Sequence, residues 1–564
     1  MKSSLVISFF YILAIGTSCR NQIEDYPANF DYNQPNILWL VTEDLSPVIP
    51  AYGDSTIALP NLDWLASEGV IYDNFFTPHP VCGPARASII TGMYANHIGA
   101  SHMRTGPWFR EEVDQELIDW YKKANETEVV YEALPPPEVK MFTEYLRSAG
   151  YYCSNNSKMD YQMIPTITAW DDNGKNAHWR NRKSGQPFFS VFNFEVTHES
   201  KIWTKAGDSL WVDENLDVPV PPYLPDTDLV KQDIRRMYSN IKEMDSQIGV
   251  VLEQLKKDGL LENTIIIWYS DHGGPMPRQK RSLYDSGIKV PMIIRFPGKR
   301  IVKRDQRLIS FIDLAPTMLS LAGIEPPDHL EGKAFIGEFN RKKPVNYVFG
   351  ASDRYDEVAD RRRCVRDQQF KYIRYYMNEN PMALNISFRN QMETMQELKR
   401  LDSLGLLNGQ QKLWLREYQP KQELFDLSVD PYELKDVSDD PRYVETKKRL
   451  KSVLDNWIKI SDDTGMQEES LLLKDIMPNG KQPVTATPKI ELSGDRISLS
   501  CATPGASIGY KLVHDGSLDK ELPWKIYDQS FPIESSCTLL VQAHRLGFKR
   551  SEILMQELTL ERRE

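Results

Sequence analysis

The stretch Val81-Cys82-Gly83-Pro84-Ala85-Arg86-Ala87-Ser88-Ile89-Ile90-Thr91-Gly92-Met93-Tyr94 decides how this chain is read. Pro84, with its fixed φ, suits a first helical position. Ala85 to Thr91 propagate the helix, and Gly92 is its stop. Cys82 then stands just ahead of a helix N-terminus, where free N–H groups and the dipole favour an anion and depress a thiol pKa. Arg86 lies one turn inside, so its guanidinium can return to the same point. A nucleophile and a permanent cation would share one anion-binding helix end. Taken alone, a cysteine in such a place is more commonly a small buried side chain in an ordinary cap.

Outward from that stretch, the 564 residues exceed one ordinary core and call for two or three domains. With 41% hydrophobic and 26% charged residues, the chain has ample material for a globular core. A net charge of −11 argues against a nucleic-acid binder, which needs a basic face for phosphate contacts. An anionic substrate must therefore meet a local basic pocket. Lys2 and the apolar run Leu5 to Ile15 read as a secretory signal too short to span a membrane. Gly16-Thr17-Ser18-Cys19 resembles a bacterial lipobox, in which Cys19 would be lipidated and attach the protein to a membrane in the periplasm or at the cell surface. Plain cleavage to a free periplasmic protein is the alternative, and residues 20–35 would serve as a tether. Of the other cysteines, Cys501 and Cys537 are the expected pair, and Cys153 and Cys364 are expected as buried thiols.

Asn36 to Thr42 is a continuous apolar run of strand length, as a central parallel strand requires, and it ends in Glu43-Asp44. Two adjacent acids at a strand's C-terminal edge are costly unless neutralised, and that edge is where open α/β sheets bind ligands. A divalent-metal seat and a solvated loop are the two readings. Val70 to Phe76 reads as a strand leading to Cys82, and Tyr151 to Ser154 as another, followed by Lys158. Pro187 to Phe194 is a buried run that delivers Thr197-His198, and Thr264 to Ser270 delivers Asp271-His272. His97, His102 and Arg104 lie close in sequence to the Cys82 helix and are carried as substrate contacts. The segment from Trp108 to Pro137 is acidic and aromatic, then Pro-rich, and reads as an insertion over the site.

Cys-x-Pro-x-Arg with the following Ala-Ser-Ile-Ile-Thr-Gly-Met-Tyr resembles the signature of the formylglycine-dependent (type I) sulfatases of the alkaline-phosphatase superfamily. The resemblance covers most of Asn36 to Ile460 and implies an α/β fold: a large mixed sheet flanked by helices, then a small α+β subdomain. It also implies that a maturation enzyme oxidises Cys82 to 3-oxoalanine (formylglycine), whose hydrated aldehyde is the nucleophile. By the same resemblance, Glu43, Asp44, Asp271 and His272 would hold Ca²⁺, with Mg²⁺ possible; the family more often has Asp-Asp where this chain has Glu43-Asp44. Arg86, Lys158 and Lys280 would take the sulfate oxygens, and His198 would protonate the leaving oxygen. Where the family has Lys-x-His, this chain has Lys158-Met159-Asp160, so the base for the second step is left open between Asp160 and another histidine. Arg278 and Arg281 read as ordinary surface cations.

Three domains follow: a catalytic unit over 36–343, a C-terminal subdomain over 344–482, and a small unit over 483–564 whose short alternating strands suggest a β-sandwich. The expected function is removal of sulfate from a sulfated carbohydrate, a polysaccharide or a glycosaminoglycan fragment. A phosphate or phosphonate ester hydrolase of the same superfamily and a lipid-anchored glycan-binding protein are the alternatives. Cys82 with Pro84 and Arg86 weighs against the first, and the intact acid set against the second.

Overall fold

The computed structural model describes residues 34–105, 111–127, 130–298, 300–514 and 523–559. The leader, Cys19 and nearly all of the 20–35 tether lie outside the described residues. Nine strands form the large sheet: β1 (Asn36–Thr42), β2 (Val70–Phe76), β3 (Tyr152–Asn156), β4 (Asp172–Asn173), β5 (Phe188–Phe194), β6 (Thr264–Ser270), β7 (Lys289–Arg295), β8 (Lys303–Asp305) and β9 (Ile309–Ser310). Their order is β4-β3-β5-β1-β6-β7-β2-β8, with β9 also paired to β2.

The register of this sheet explains the site. β1 is parallel to both neighbours, and Thr42 lies beside Phe194 and Ser270. Whatever follows these three strands therefore emerges side by side. β3 runs parallel to β5. β7 is antiparallel to β6 and to β2, so β2 runs with the central strands. Its end at Phe76 leads to Cys82 on the same edge, and the segment feeding β7 begins there too.

β1, β5 and β6 carry near-continuous apolar side chains because both faces are covered. On one face Leu38, Leu40, Ile266 and Trp268 meet Ile241, Met244 and Ile248 of the long helix Asp228–Lys257. On the other, the Trp39 ring stands edge-on to Phe189 at 4.9 Å and Tyr269 at 5.4 Å, and tilts against Phe142 of the helix Phe142–Ser148. Each such side chain contributes about 1.5–3 kcal/mol on burial, so the edge that carries charge rests on a rigid apolar slab.

A four-stranded antiparallel sheet (Val348–Ser352, Arg362–Arg366, Phe370–Tyr375, Gln422–Asp426) follows. The helix Val444–Ile460 packs on it through Leu450, Leu454 and Trp457. Last come a three-stranded and a four-stranded antiparallel sheet, which enclose Ile497, Leu499, Ile508, Leu539 and Val541 as the expected sandwich does. All of this belongs to one compact unit from Tyr32 onward, with the last two sheets fastened to the first: Lys140 Nζ donates to Ser507 Oγ at 2.8 Å and Arg147 Nη2 to the Trp524 carbonyl at 2.6 Å.

Cys501 and Cys537 are free thiols, which corrects the expected pairing: Cys501 Sγ faces the Ala486 carbonyl, while Cys537 opens the strand Cys537–His544 in the other sheet. Cys153 and Cys364 are buried thiols as expected, and burial pushes the Cys364 thiol up to about 12. Among the described residues, no helix is long and apolar enough to cross a membrane.

Candidate active site

The helix that carries the opening motif runs Cys82–Thr91, capped by Val81 and stopped by Gly92 at φ +69°. Cys82 is thus the first helical residue rather than the one ahead of it, and Pro84 sits two places further in. At N1 to N3 no backbone N–H has an intrahelical partner, so proline is tolerated at the third position as at the first. The whole helix is buried, which holds Cys82 at the floor of a cleft.

Around Cys82 the strand tips deliver their charges. His272 Nε2 lies 3.2 Å from Cys82 Sγ and 3.1 Å from Asp44 Oδ1. Arg86 Nε donates to Asp271 Oδ2 at 3.0 Å, and its Nη2 lies 3.3 Å from Glu43 Oε1. Lys158 also pairs with Glu43 and lies 3.4 Å from Asp160 Oδ2. Lys280 Nζ donates to both Asp44 oxygens, at 3.0 and 2.9 Å, and lies 3.2 Å from His198 Nε2. Glu43, Asp44, Asp271, His272, Cys82, Arg86, Lys158, His198 and Lys280 are therefore brought together, although their positions in the chain span residues 43 to 280.

The electrostatics reflect an excess of buried acid. Burial, opposed by Lys158, lifts the Glu43 carboxyl to about 7. Burial also pushes Asp44 upward, but Lys280, His198 and His272 outweigh it and hold that carboxyl well below the usual range. Burial alone would lower His272; Asp271 and Asp44 outweigh it and keep its imidazole well above the usual range. Burial and then Lys280 push the His198 imidazole well below the usual range. Glu43 Oε2 is buried with no hydrogen-bond partner among the described residues. Three converging carboxylates, one with an orphaned oxygen, and an imidazole make a donor set that fits a hard divalent cation.

The three substrate-contact candidates separate. Arg104 lines the cleft, pairs with Asp356 at 2.6 Å and lies over the Phe388 ring at 5.4 Å. His97 is packed between Tyr94 and Trp457 with Nδ1 2.5 Å from Glu331. His102 is buried against Tyr131 at 2.9 Å and Glu469 at 3.3 Å. Neither histidine lines the cleft; both brace the helix side of it. Within the Trp108 to Pro137 segment, Trp120 on the helix Glu111–Ala124 reaches the cleft wall, while Tyr121 and Tyr131 join Leu472, Leu473 and Ile476 in a small core of their own. That corrects the picture of a mere cover.

Arg278 and Arg281 are buried, not surface cations. Arg278 lies 3.8 Å from the centre of the Tyr284 ring and donates to the Glu433 carbonyl. Arg281 donates twice to Glu199, at 2.9 and 2.7 Å, and to Asp356 at 3.0 Å. Glu199 also lies 3.3 Å from Lys280, and its backbone N–H donates to Asp44 at 2.6 Å. Asn193 accepts from Arg86 at 2.7 Å. Glu199, Asp356 and Asn193 were not singled out in the sequence. Asn193, inside the apolar run of β5, was the one with a signal: a polar side chain in a buried strand needs a partner.

The sequence profile of a family described as Sulfatase matches residues 35–324, and one described as N-sulphoglucosamine sulphohydrolase, C-terminal, matches residues 278–410. A Formosa agariphila protein named an ulvan-active sulfatase is 45% identical over 557 residues, covering 92% of this chain and 91% of its own. The N-sulphoglucosamine sulphohydrolase of Homo sapiens is 26% identical, covering 75% of this chain and 89% of its own. Among solved structures, one described as a complex with its substrate D-glucosamine-2-N,6-O-disulfate aligns with a TM-score of 0.54 at 18% identity, covering 77% of this chain and 100% of the other; this likeness concerns the fold.

Proposed function

The chain belongs to the sulfatase family of sulfuric ester hydrolases, and from that premise we propose that it removes sulfate from a sulfated carbohydrate, with Cys82 as the site of the nucleophile. One observation carries the reading: Cys82, Lys158, Lys280 and His198 line one cleft, with Arg86 paired to Glu43 and Asp271 among four metal-type ligands beside them. The carbohydrate substrate is supported by the Formosa agariphila relative, which makes ulvan fragments the first substrate to try.

Converted to formylglycine by a maturation enzyme, Cys82 would offer a geminal hydroxyl in place of a thiol. Glu43, Asp44, Asp271 and His272 would hold Ca²⁺, with Mg²⁺ as the alternative. Such a cation supplies Lewis-acid polarisation of a sulfate oxygen. The remaining work belongs to the chain. Arg86 and Lys158, with the first turn of the Cys82 helix, receive the equatorial oxygens and offset charge as it builds there. Lys280 and His198, 3.2 Å apart, flank the departing side and share the proton that the sugar oxygen takes. Asp160, held by Lys158, is the candidate base for the second step. Cys19 would anchor the protein to a membrane as a periplasmic or cell-surface lipoprotein; its support is the lipobox-like run alone.

The test is sulfate release, followed by ion chromatography, from ulvan fragments by enzyme coexpressed with a formylglycine-generating enzyme. Phosphate and phosphonate esters run in parallel. Sulfate release with little turnover of the phosphorus esters is expected. Faster turnover of the phosphorus esters than of any sulfated sugar would overturn the reading.

A further inference from the structure

If the scissile sulfur sits over Cys82 and the departing oxygen faces His198 and Lys280, the sugar must lie beyond His198. The surface waiting there is aromatic. The Phe388 ring lies 6.1 Å from the His198 ring, with Trp203 edge-on to it at 5.1 Å. Phe388 comes from the segment between the strands Phe370–Tyr375 and Gln422–Asp426, so the second sheet's loop builds this wall. Both rings are half-buried and line the cleft, which has a volume of about 1010 Å³.

The cations of the cleft divide sharply. Arg104 pairs with Asp356, Lys158 with Glu43, Lys280 with Asp44 and Arg281 with Glu199. Lys201 forms no ion pair among the described residues, although it is half-buried. It sits one turn from His198, whose carbonyl accepts its backbone N–H at 2.8 Å, on the short helix Ser200–Thr204 that also carries Trp203. Lys201 also lines a second cavity of about 380 Å³ that adjoins the main cleft; Glu195, the other charged residue common to both, makes no ion pair with it. An ammonium left unpaired beside an aromatic wall, where two cavities meet, is suited to an anion that arrives with the substrate.

We infer that Lys201, with Phe388 and Trp203, forms a subsite for an acidic sugar next to the one that loses its sulfate. It binds a carboxylate or a second sulfate, so the preferred substrate is a polyanionic oligosaccharide rather than a singly sulfated neutral sugar. This rests on the carbohydrate reading above. The subsite adds affinity for the ground state and the transition state alike, so its loss appears mainly in KM.

The experiment compares wild type, Lys201→Ala, Lys201→Arg and Phe388→Ala on ulvan oligosaccharides, on the same oligosaccharides after reduction of their carboxylates to alcohols, and on p-nitrophenyl sulfate. For Lys201→Ala, KM on the oligosaccharides is expected to rise about tenfold to a hundredfold, as the loss of one charged contact implies. The loss on p-nitrophenyl sulfate should be at least fivefold smaller, and Lys201→Arg should recover most of the difference. Phe388→Ala should show the same selectivity. If reduction weakens the wild type as much as Lys201→Ala does, the anion is a carboxylate; if reduction changes nothing while the Lys201→Ala loss stands, it is a second sulfate. Equal losses of Lys201→Ala on all substrates, or none on the oligosaccharides, would overturn the inference. Wild-type enzyme that turned over p-nitrophenyl sulfate but no oligosaccharide would instead overturn the carbohydrate reading on which it rests.

Discussion

Replacing Glu199 by glutamine tests whether the cleft floor depends on a carboxylate committed to two of its cations. Glu199 is buried and spans two cations, taking two hydrogen bonds from Arg281 and lying 3.3 Å from Lys280. Glutamine keeps the volume and one acceptor, but it turns the other oxygen into a donor that faces a guanidinium donor. Each charge-assisted bond of this kind contributes about 1.5–3 kcal/mol. Stripping one partner from a buried pair costs about 3–5 kcal/mol. Because glutamine retains part of the geometry, about 3 kcal/mol is expected. In a chain of this length that corresponds to a fall in Tm of roughly 2–3 °C, since each kcal/mol moves Tm less here than in a small domain. Lys280, released from one of its two carboxylate anchors, should drift from the departing oxygen, and kcat/KM should fall about tenfold to a hundredfold. Differential scanning fluorimetry and steady-state kinetics measure the two effects. Glu199→Asp, which keeps the charge and loses reach, should fall between. Wild-type melting together with wild-type kcat/KM in Glu199→Gln would refute the reasoning.

Three further outcomes follow from the site. Peptide mass analysis of protein made with a maturation enzyme should find aldehyde or its hydrate in place of the Cys82 thiol; an unmodified thiol in fully active enzyme would remove the nucleophile assignment. Chelation should abolish turnover and Ca²⁺ or Mg²⁺ restore it, while Asp44→Ala and Asp271→Ala should resist rescue because each strips a carboxylate from a hard-cation set; full activity in either variant would exclude that set. His198→Ala should lose at least about a hundredfold more on a sulfated sugar than on p-nitrophenyl sulfate, whose leaving group hardly needs a proton; equal losses would make His198 a sulfate contact and pass the acid role to Lys280.

The central strands of the site can be read in the sequence because they are buried on both faces and so carry near-continuous apolar runs: the runs Asn36 to Thr42 and Thr264 to Ser270 coincide with β1 and β6 to the residue. The charges at their tips were legible for the same reason, since acids after such runs stand out. What could not be read is how the loops turn back. Asp44, Arg104, Asp160, Gln162, Arg281 and Asp356 all adopt positive φ, between +47° and +68°, although none is glycine. Such turns are held by tertiary contacts and leave no trace in residue type. They carry Arg281 inward to Glu199, against the expectation for a cation in a polar run. His97 and His102 failed in the opposite sense. Closeness in sequence to Cys82 suggests that they reach the cleft, but the chain turns away after Gly92 and both are used in packing.

Beside the side-chain bonds of Lys140 and Arg147, the seam between the last two sheets and the rest is closed by close backbone approaches. At Gly505 an added Cβ would come within 2.1 Å of the Pro137 carbonyl oxygen, and at Gly547 within 2.5 Å of that of Ala133. The Ala133 amide in turn donates to the Gln162 carbonyl, and the Gln162 side chain lies so close to Gly83 that a Cβ there would meet it at 2.9 Å. A line of tight contacts thus runs from the final strands to the residue beside Cys82. The tail behaves as a keystone, not a pendant. A chain cut before it would keep every residue of the cleft and yet lose the approach of Gly547 to Ala133, whose amide bonds the carbonyl of Gln162 beside the Cys82 helix, so a loss of activity on truncation would report packing at the cleft rather than a missing group.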